Sequence, residues 1–199
     1  MTASPLKIGI TGGIGSGKSV VSRLLTLLGI PVYLCDDAGK RLLATHPDIR
    51  TELTALLGPE LYRTGQPDKA MLASYLFACA DHAARVNAIV HPRVRHDFHR
   101  WVDAHASAPL VAMESAILVE AGFTDEVDVV VMVDAPVAVR VARAARRDAT
   151  STAAIEQRVR SQMSDDCKRL HAHHILVNDD THALLPQVLQ LIDGLSRNK

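Results

Sequence analysis

Five glycines fall within the nine residues from Gly9 to Gly17, and Lys18 and Ser19 follow at once. Glycine weakens regular helices and strands through its conformational entropy, so a cluster this dense serves a backbone path that other residues resist. From Gly12 to Ser19 the chain fits the spacing G-x-x-x-x-G-K-[ST], with the apolar run LKIGI before it and a helix-period segment after it. Such a turn points successive N–H groups inward to make an anion nest, and the following helix adds the positive end of its dipole. Lys18 is then placed to reach the β- and γ-phosphates of a nucleoside triphosphate, and the Ser19 hydroxyl to ligate Mg²⁺.

The fate of the γ-phosphate depends on the rest of the chain. A guanine-reading N-K-x-D is absent, since VNDD at Val177–Asp180 lacks the lysine, and no clear motor-type signature accompanies the loop. Transfer to a small molecule needs a base for the acceptor hydroxyl, an acceptor pocket, and cations that close over the phosphoryl group. Asp36 and Asp37 follow the apolar run PVYL, at the strand end where open α/β sheets bind ligands; either could be the base, and one of the two is expected to cap the helix that follows. Arg140, Arg143 and Arg147, at rough helical spacing, and Arg158 and Arg160 beyond a polar DATST hinge, suit a closing lid. Arg147, at the helix end before the hinge, is the strongest candidate among them.

The elements that must position these residues read as an alternation. LKIGI, PVYL, LVAM, VDVVVMV and HILV read as five buried strands, and KSVVSRLLTLL, with Val20, Val21, Leu24, Leu25 and Leu28 on one face, and HALLPQVLQLIDGL as helices between or after them. That order predicts an α/β fold with a parallel sheet. Residues 38–105 break the rhythm as consecutive helices, including one over MLASYLFACADHAARVNAIV, and the arginine-rich stretch adds two more helical pieces. With 199 residues the chain can bury its own core, and 22 basic against 22 acidic residues give no global field for nucleic acid. Cys35, Cys79 and Cys167 are too scattered for a disulfide framework or a zinc site, which suits a reducing cytoplasm. The most apolar stretch is interrupted by Asp128, Asp134 and Pro136, so no membrane span is expected.

With these residues in hand, the sequence resembles the dephospho-CoA kinase family, P-loop enzymes that phosphorylate the ribose 3′-hydroxyl of dephospho-coenzyme A with ATP. The carriers are GITGGIGSGKS, CDDAGKRL, NAIVHPRV, ESAILVEAG, VDAPVAVRVARAARRD and HHILVNDD, which span nearly the whole chain. The resemblance implies a three-layer α/β/α P-loop core with a five-stranded parallel sheet over residues 1–37, 106–139 and 166–199. It also implies a helical CoA-substrate domain over 38–105 and a short lid over 140–165. It implies ATP contacts from Gly13, Ile14, Gly15, Ser16, Gly17, Lys18, Ser19 and Val20, joined by Arg147 and Asn178. Acceptor contacts would come from Thr11, Asp37, Arg41, His91 and Glu114.

Of the two aspartates the resemblance selects Asp37 as the base, because AGKR after it places Arg41 where the family has its arginine; Asp37, Lys18 and Arg147 form the implied catalytic set. The implied cofactor is Mg²⁺ on Ser19, with Glu114 reaching it through water. The implied partners are ATP and dephospho-CoA, with neither nucleic acid nor membrane, for a cytoplasmic monomer or weak homo-oligomer. The chain departs from the family pattern at Cys35-Asp36-Asp37 (commonly Asp-Ala-Asp), at Glu114 (often Asp) and at Ala172-His173 (commonly Ala-Asp). His91 is expected to pack and hydrogen-bond, with Pro92 fixing a helix start, and the run HAHH to be a loop of partly exposed imidazoles rather than a metal site.

Overall fold

The structure, a computed structural model, describes residues 4–197, so the ends of the expected core, 1–3 and 198–199, lie outside the described residues. Five strands form one parallel sheet: β1 (Leu6–Thr11), β2 (Val32–Leu34), β3 (Leu110–Glu114), β4 (Val129–Asp134) and β5 (His174–Val177), in the order β2-β3-β1-β4-β5. The five apolar runs foretold these strands; the inner strands β1, β3 and β4 are largely buried, as a parallel sheet covered on both faces requires, while the edge strands β2 and β5, also read as buried, leave Leu34 and Ile175 exposed. Ile8, Ile10, Val131 and Val133 pack in one cluster with Val21 and Leu25 of α1 (Lys18–Leu27) and with Val188, Leu191 and Leu195 of α9 (Leu184–Arg197). On the opposite face Val111, Met113, Val130 and Met132 are also buried.

Several expectations need correction. Val20 and Leu28, read as part of the apolar face of α1, are 51% and 43% exposed; Lys18, Val21, Ser22 and Leu25 take the buried positions. β4 begins at Val129 rather than Val127, because the Asp128 carboxylate leaves the strand to accept the Lys7 N–H at 2.7 Å. The helix read over HALLPQVLQLIDGL is present as α9, and Pro186 is tolerated because it sits in the first turn, where the backbone N–H has no intrahelical partner to lose.

The chain divides into two compact units, one running up to Tyr33 and resuming at His105, the other spanning Leu34–Ala104. The second is helical: α2 (Cys35–Thr45), α3 (Pro47–Leu57), a 3-10 turn over Pro59–Tyr62, α4 (Lys69–Ala78) and α5 (Ala80–Ala104). Ile49, Leu53, Leu61, Val90, Val94 and Phe98 are buried. The stretch read as one long helix is split at Cys79, which is extended at φ −161° and ψ 162°, while Asp68 caps α4 by accepting from Ala70 and Met71. Pro92 does not start a helix; it lies inside the 25-residue α5. An interior proline disturbs the carbonyls one turn back, and the Arg93 guanidinium donates to one of them, Ile89, at 3.2 Å.

The arginine-rich stretch of the first unit holds three helices, not two: α6 (Val137–Asp148), α7 (Thr152–Arg160) and α8 (Asp165–Leu170). The break between α6 and α7 is a left-handed Ala149 (φ 49°) followed by Ser151, which caps α7 by accepting from Ala154. Val141 and Ala144 of α6 and Ile155 of α7 make a small core of their own, against which Ile14 of the glycine loop packs.

Candidate active site

The glycine loop leaves the carboxyl end of β1 and feeds α1, so its N–H groups gather at the positive end of that helix. Gly17, the residue preceding α1, has φ 100°, and a β-carbon there would meet the Asn178 amide nitrogen at 2.1 Å. That amide instead donates to the Ser16 carbonyl at 2.7 Å, bringing the end of β5 against the loop. Gly17→Ala should therefore be both strained and clashing, and is expected to cost about 1–3 kcal/mol of stability, read as a lowered melting temperature by circular dichroism.

Lys18 is 9% exposed, and its Nζ donates to the carbonyls of Gly12 (2.8 Å) and Gly13 (3.1 Å) within the loop. Ser19 and Val20 are exposed at the start of α1. The hydroxyls of Thr11 and Ser16 are buried and meet no hydrogen-bond partner, an arrangement that suits a site whose polar groups serve a bound ligand. Glu114 ends β3 in register with Ile10 of the neighbouring β1, so its backbone lies beside the end of the strand that carries the loop.

Arg140 of α6, one of the five lid candidates, is packed against the glycine loop. It is 2% exposed, its Nε donates to the Ala135 carbonyl (3.0 Å), and its guanidinium pairs with Asp165. Gly13 is glycine because a β-carbon there would lie 1.6 Å from that guanidinium. Arg143 donates to the Asn178 carbonyl (2.8 Å) and pairs with Asp180, so it braces the segment after β5. Arg147 is 63% exposed and reaches Asp148 at 2.7 Å; Arg158 reaches the same carboxylate at 3.1 Å, and the hydrogen bond from Arg147 is the largest influence holding Asp148 below the usual carboxylate range. Beyond α7, the Gln162 side chain accepts the Ile14 N–H at 3.0 Å. Gln162 was missed in the sequence, where a glutamine in RVRSQ carries no period or spacing signal.

A cavity of about 470 Å³ opens beyond the carboxyl ends of β4 and β5, lined by Asp134, Asp165, Asp166, Arg169 and Asp179 among others. Its carboxylates disfavour a polyanion. Asp134 is occupied by Arg169 at 3.0 Å. The HAHH run is structural where it meets the sheet, with His173 Nδ1 taking the Val130 N–H at 3.0 Å, and among the described residues no His/Cys/Asp/Glu cluster has the makings of a metal site.

The helical unit carries the remaining candidates. α2 starts at Cys35 with Leu34 as its N-cap residue, so neither aspartate caps it; both lie in the first turn, where carboxylates are favoured by the helix dipole. Asp37 is 66% exposed and pairs with Lys40 at 3.1 Å, an exposed pair that holds it only weakly. Arg41 is pinned to Asp97 of α5. His91 is half-buried in the middle of α5, and burial, reinforced by the Arg95 charge, lowers its pKa, which favours the neutral imidazole.

The family model for dephospho-CoA kinase matches residues 6–183. The chain belongs to the dephospho-CoA kinase family. It is 52% identical over 187 residues to a dephospho-CoA kinase of Bacteroides fragilis, covering 94% of this chain and 91% of that one. Among solved structures, a Thermus thermophilus protein superposes with a TM-score of 0.83 at 32% identity, covering 98% of each chain. The dephospho-CoA kinase of Campylobacter jejuni superposes at 0.62 with 18% identity over 96% of this chain and 98% of its own, a likeness of fold alone. The matched residues 6–183 take in the glycine loop, α1, α6 and α7.

Proposed function

We propose that the protein transfers the γ-phosphoryl group of ATP to the ribose 3′-hydroxyl of dephospho-CoA, giving coenzyme A and ADP, the last step of coenzyme A biosynthesis. The observation that carries this reading is the family match from residue 6 to residue 183, which takes in the loop, the helical unit and the arginine-bearing helices together. Gly13 to Val20 surround the triphosphate as the loop and the start of α1, with the Ile14 N–H given to Gln162, Asn178 bracing the loop and Arg147 reaching ATP from the lid. Thr11, Arg41 and His91 serve the acceptor, with the neutral His91 imidazole in a packing and hydrogen-bonding role.

Asp37 takes the proton from the acceptor hydroxyl as its oxygen attacks the γ-phosphorus and the bond to the β-phosphate oxygen breaks. Lys18 and Arg147 stabilise the charge on the transferring group. A divalent ion, Mg²⁺ by preference, fits the hard oxygen donors available, the Ser19 hydroxyl and Glu114 through water. When bound, it neutralises charge on the β- and γ-oxygens. Cys35 is buried, Cys79 and Cys167 are exposed and none of the three is in a disulfide, and no helix among the described residues is long and apolar enough to cross a membrane. The proposal places this activity in the cytoplasm, in a monomer or weak homo-oligomer.

The test is ADP release with ATP and a panel of acceptors. ADP is expected only with dephospho-CoA present. Phosphorylation of AMP or a nucleoside with dephospho-CoA inert would move the protein to another small-molecule kinase activity, and rapid acceptor-independent hydrolysis would make it a nucleotide switch.

A further inference from the structure

The segment from Gln162 to Arg169 is tied to the ends of three strands. Gln162 accepts the Ile14 N–H of the loop after β1 (3.0 Å), and the Met163 N–H donates to Glu120, beyond β3, at 3.3 Å. Asp165 pairs with the buried Arg140, which itself lies against Gly13. Lys168 is fully buried and pairs with Glu120 (2.9 Å) while donating to the Ala116 carbonyl (2.8 Å). Arg169 closes on Asp134 at the end of β4. Held at so many points, the segment is a fixed support, and the acceptor it offers Ile14 is fixed with it.

Within a loop built to aim N–H groups at phosphate, an amide satisfied by a side chain is held in its orientation before ATP arrives. The Ile14 side chain is held as well, packed against Val141, Ala144 and Ile155 of the arginine-bearing helices. One loop residue is thus gripped by a hydrogen bond from one side and by the lid's own core from the other. We infer that Gln162 is a positioning residue for phosphoryl transfer, keeping the phosphate loop and the arginine-bearing helices in one arrangement through Ile14. Preorganised donors need not reorient as charge develops, so loosening the loop lowers the transfer rate as well as ATP affinity. This rests on the ATP-dependent transfer proposed above.

The experiment compares Gln162→Met, which keeps the shape and loses the acceptor, with Gln162→Glu, which keeps an acceptor oxygen. ATP affinity is measured calorimetrically without acceptor, and kcat and both KM values with dephospho-CoA. Gln162→Met is expected to lose about tenfold in ATP affinity and about tenfold or more in kcat, with the KM for dephospho-CoA and the melting temperature unchanged. Gln162→Glu should recover most of kcat at saturating ATP. Wild-type affinity and turnover in Gln162→Met, or equal losses in both variants, would overturn the inference. A wild-type protein that binds ATP but leaves dephospho-CoA unphosphorylated overturns the proposed function instead, while the acceptor-free ATP affinities still decide whether Gln162 positions the loop.

Discussion

Lys18→Ala is expected to remove transfer almost entirely, lowering kcat/KM about 10³-fold or more, equivalent to about 4 kcal/mol of lost transition-state stabilisation. Lys18 is nearly buried at the start of α1, and its ammonium is held by the Gly12 and Gly13 carbonyls at the loop's mouth. Arg140 cannot replace it, because its charge is committed to Asp165 and the Ala135 carbonyl on the other side of Gly13. Lys18→Arg should not rescue activity, since a planar guanidinium does not fit a pocket shaped for a point charge. Initial rates of ADP release with dephospho-CoA provide the measurement, and circular dichroism melting shows whether the fold persists. Turnover of Lys18→Ala within about tenfold of wild type would contradict the role assigned to the loop.

Asp37→Asn is the second large effect. A positioned general base contributes about 10²- to 10⁴-fold, so kcat is expected to fall by that much while ATP affinity stays at the wild-type value. The carboxylate is available for proton transfer, being two-thirds exposed and paired with Lys40, itself an exposed surface cation. Asparagine keeps the size and the helix position, so a loss of rate reports the missing proton acceptor rather than a collapsed α2. Asp36→Asn, one residue earlier in the same turn, should cost far less. A reversed ranking, measured by single-turnover transfer, would give the base role to Asp36.

How legible this was in the sequence varied with how local the physics is. The glycine loop was readable because its whole motif lies within eight residues, and the strands because a parallel sheet favours apolar runs. α1 was read with too wide an apolar face because the helix period alone does not say which neighbour covers Val20 and Leu28. Pro92 pointed to a helix start by its preference, yet tertiary context kept it inside α5, with the Arg93 side chain supplying a donor to the disturbed turn. The split at Cys79 leaves no mark in a stretch that is good helix throughout.

Arg140 illustrates the harder class. In a run of arginines each one reads as a candidate for the closing lid, and only Asp165, twenty-five residues on, with a glycine at position 13 to make room, turns this one into a buried support. Gln162 depends on a partner 148 residues away. Lys168 is a lysine with no exposure at all, made tolerable by Glu120 and the Ala116 carbonyl. These residues owe their positions to long-range closure, which no local spacing announces.

The most direct test of the central claim follows the phosphorus. The protein is incubated with ATP labelled at the γ-phosphate and with dephospho-CoA, and the product is located by phosphorus and proton NMR. A labelled phosphate monoester on the ribose 3′-oxygen, with unlabelled ADP formed in equal amount, is the predicted result. Label in inorganic phosphate with dephospho-CoA recovered unchanged, or on another oxygen of the acceptor, would contradict it.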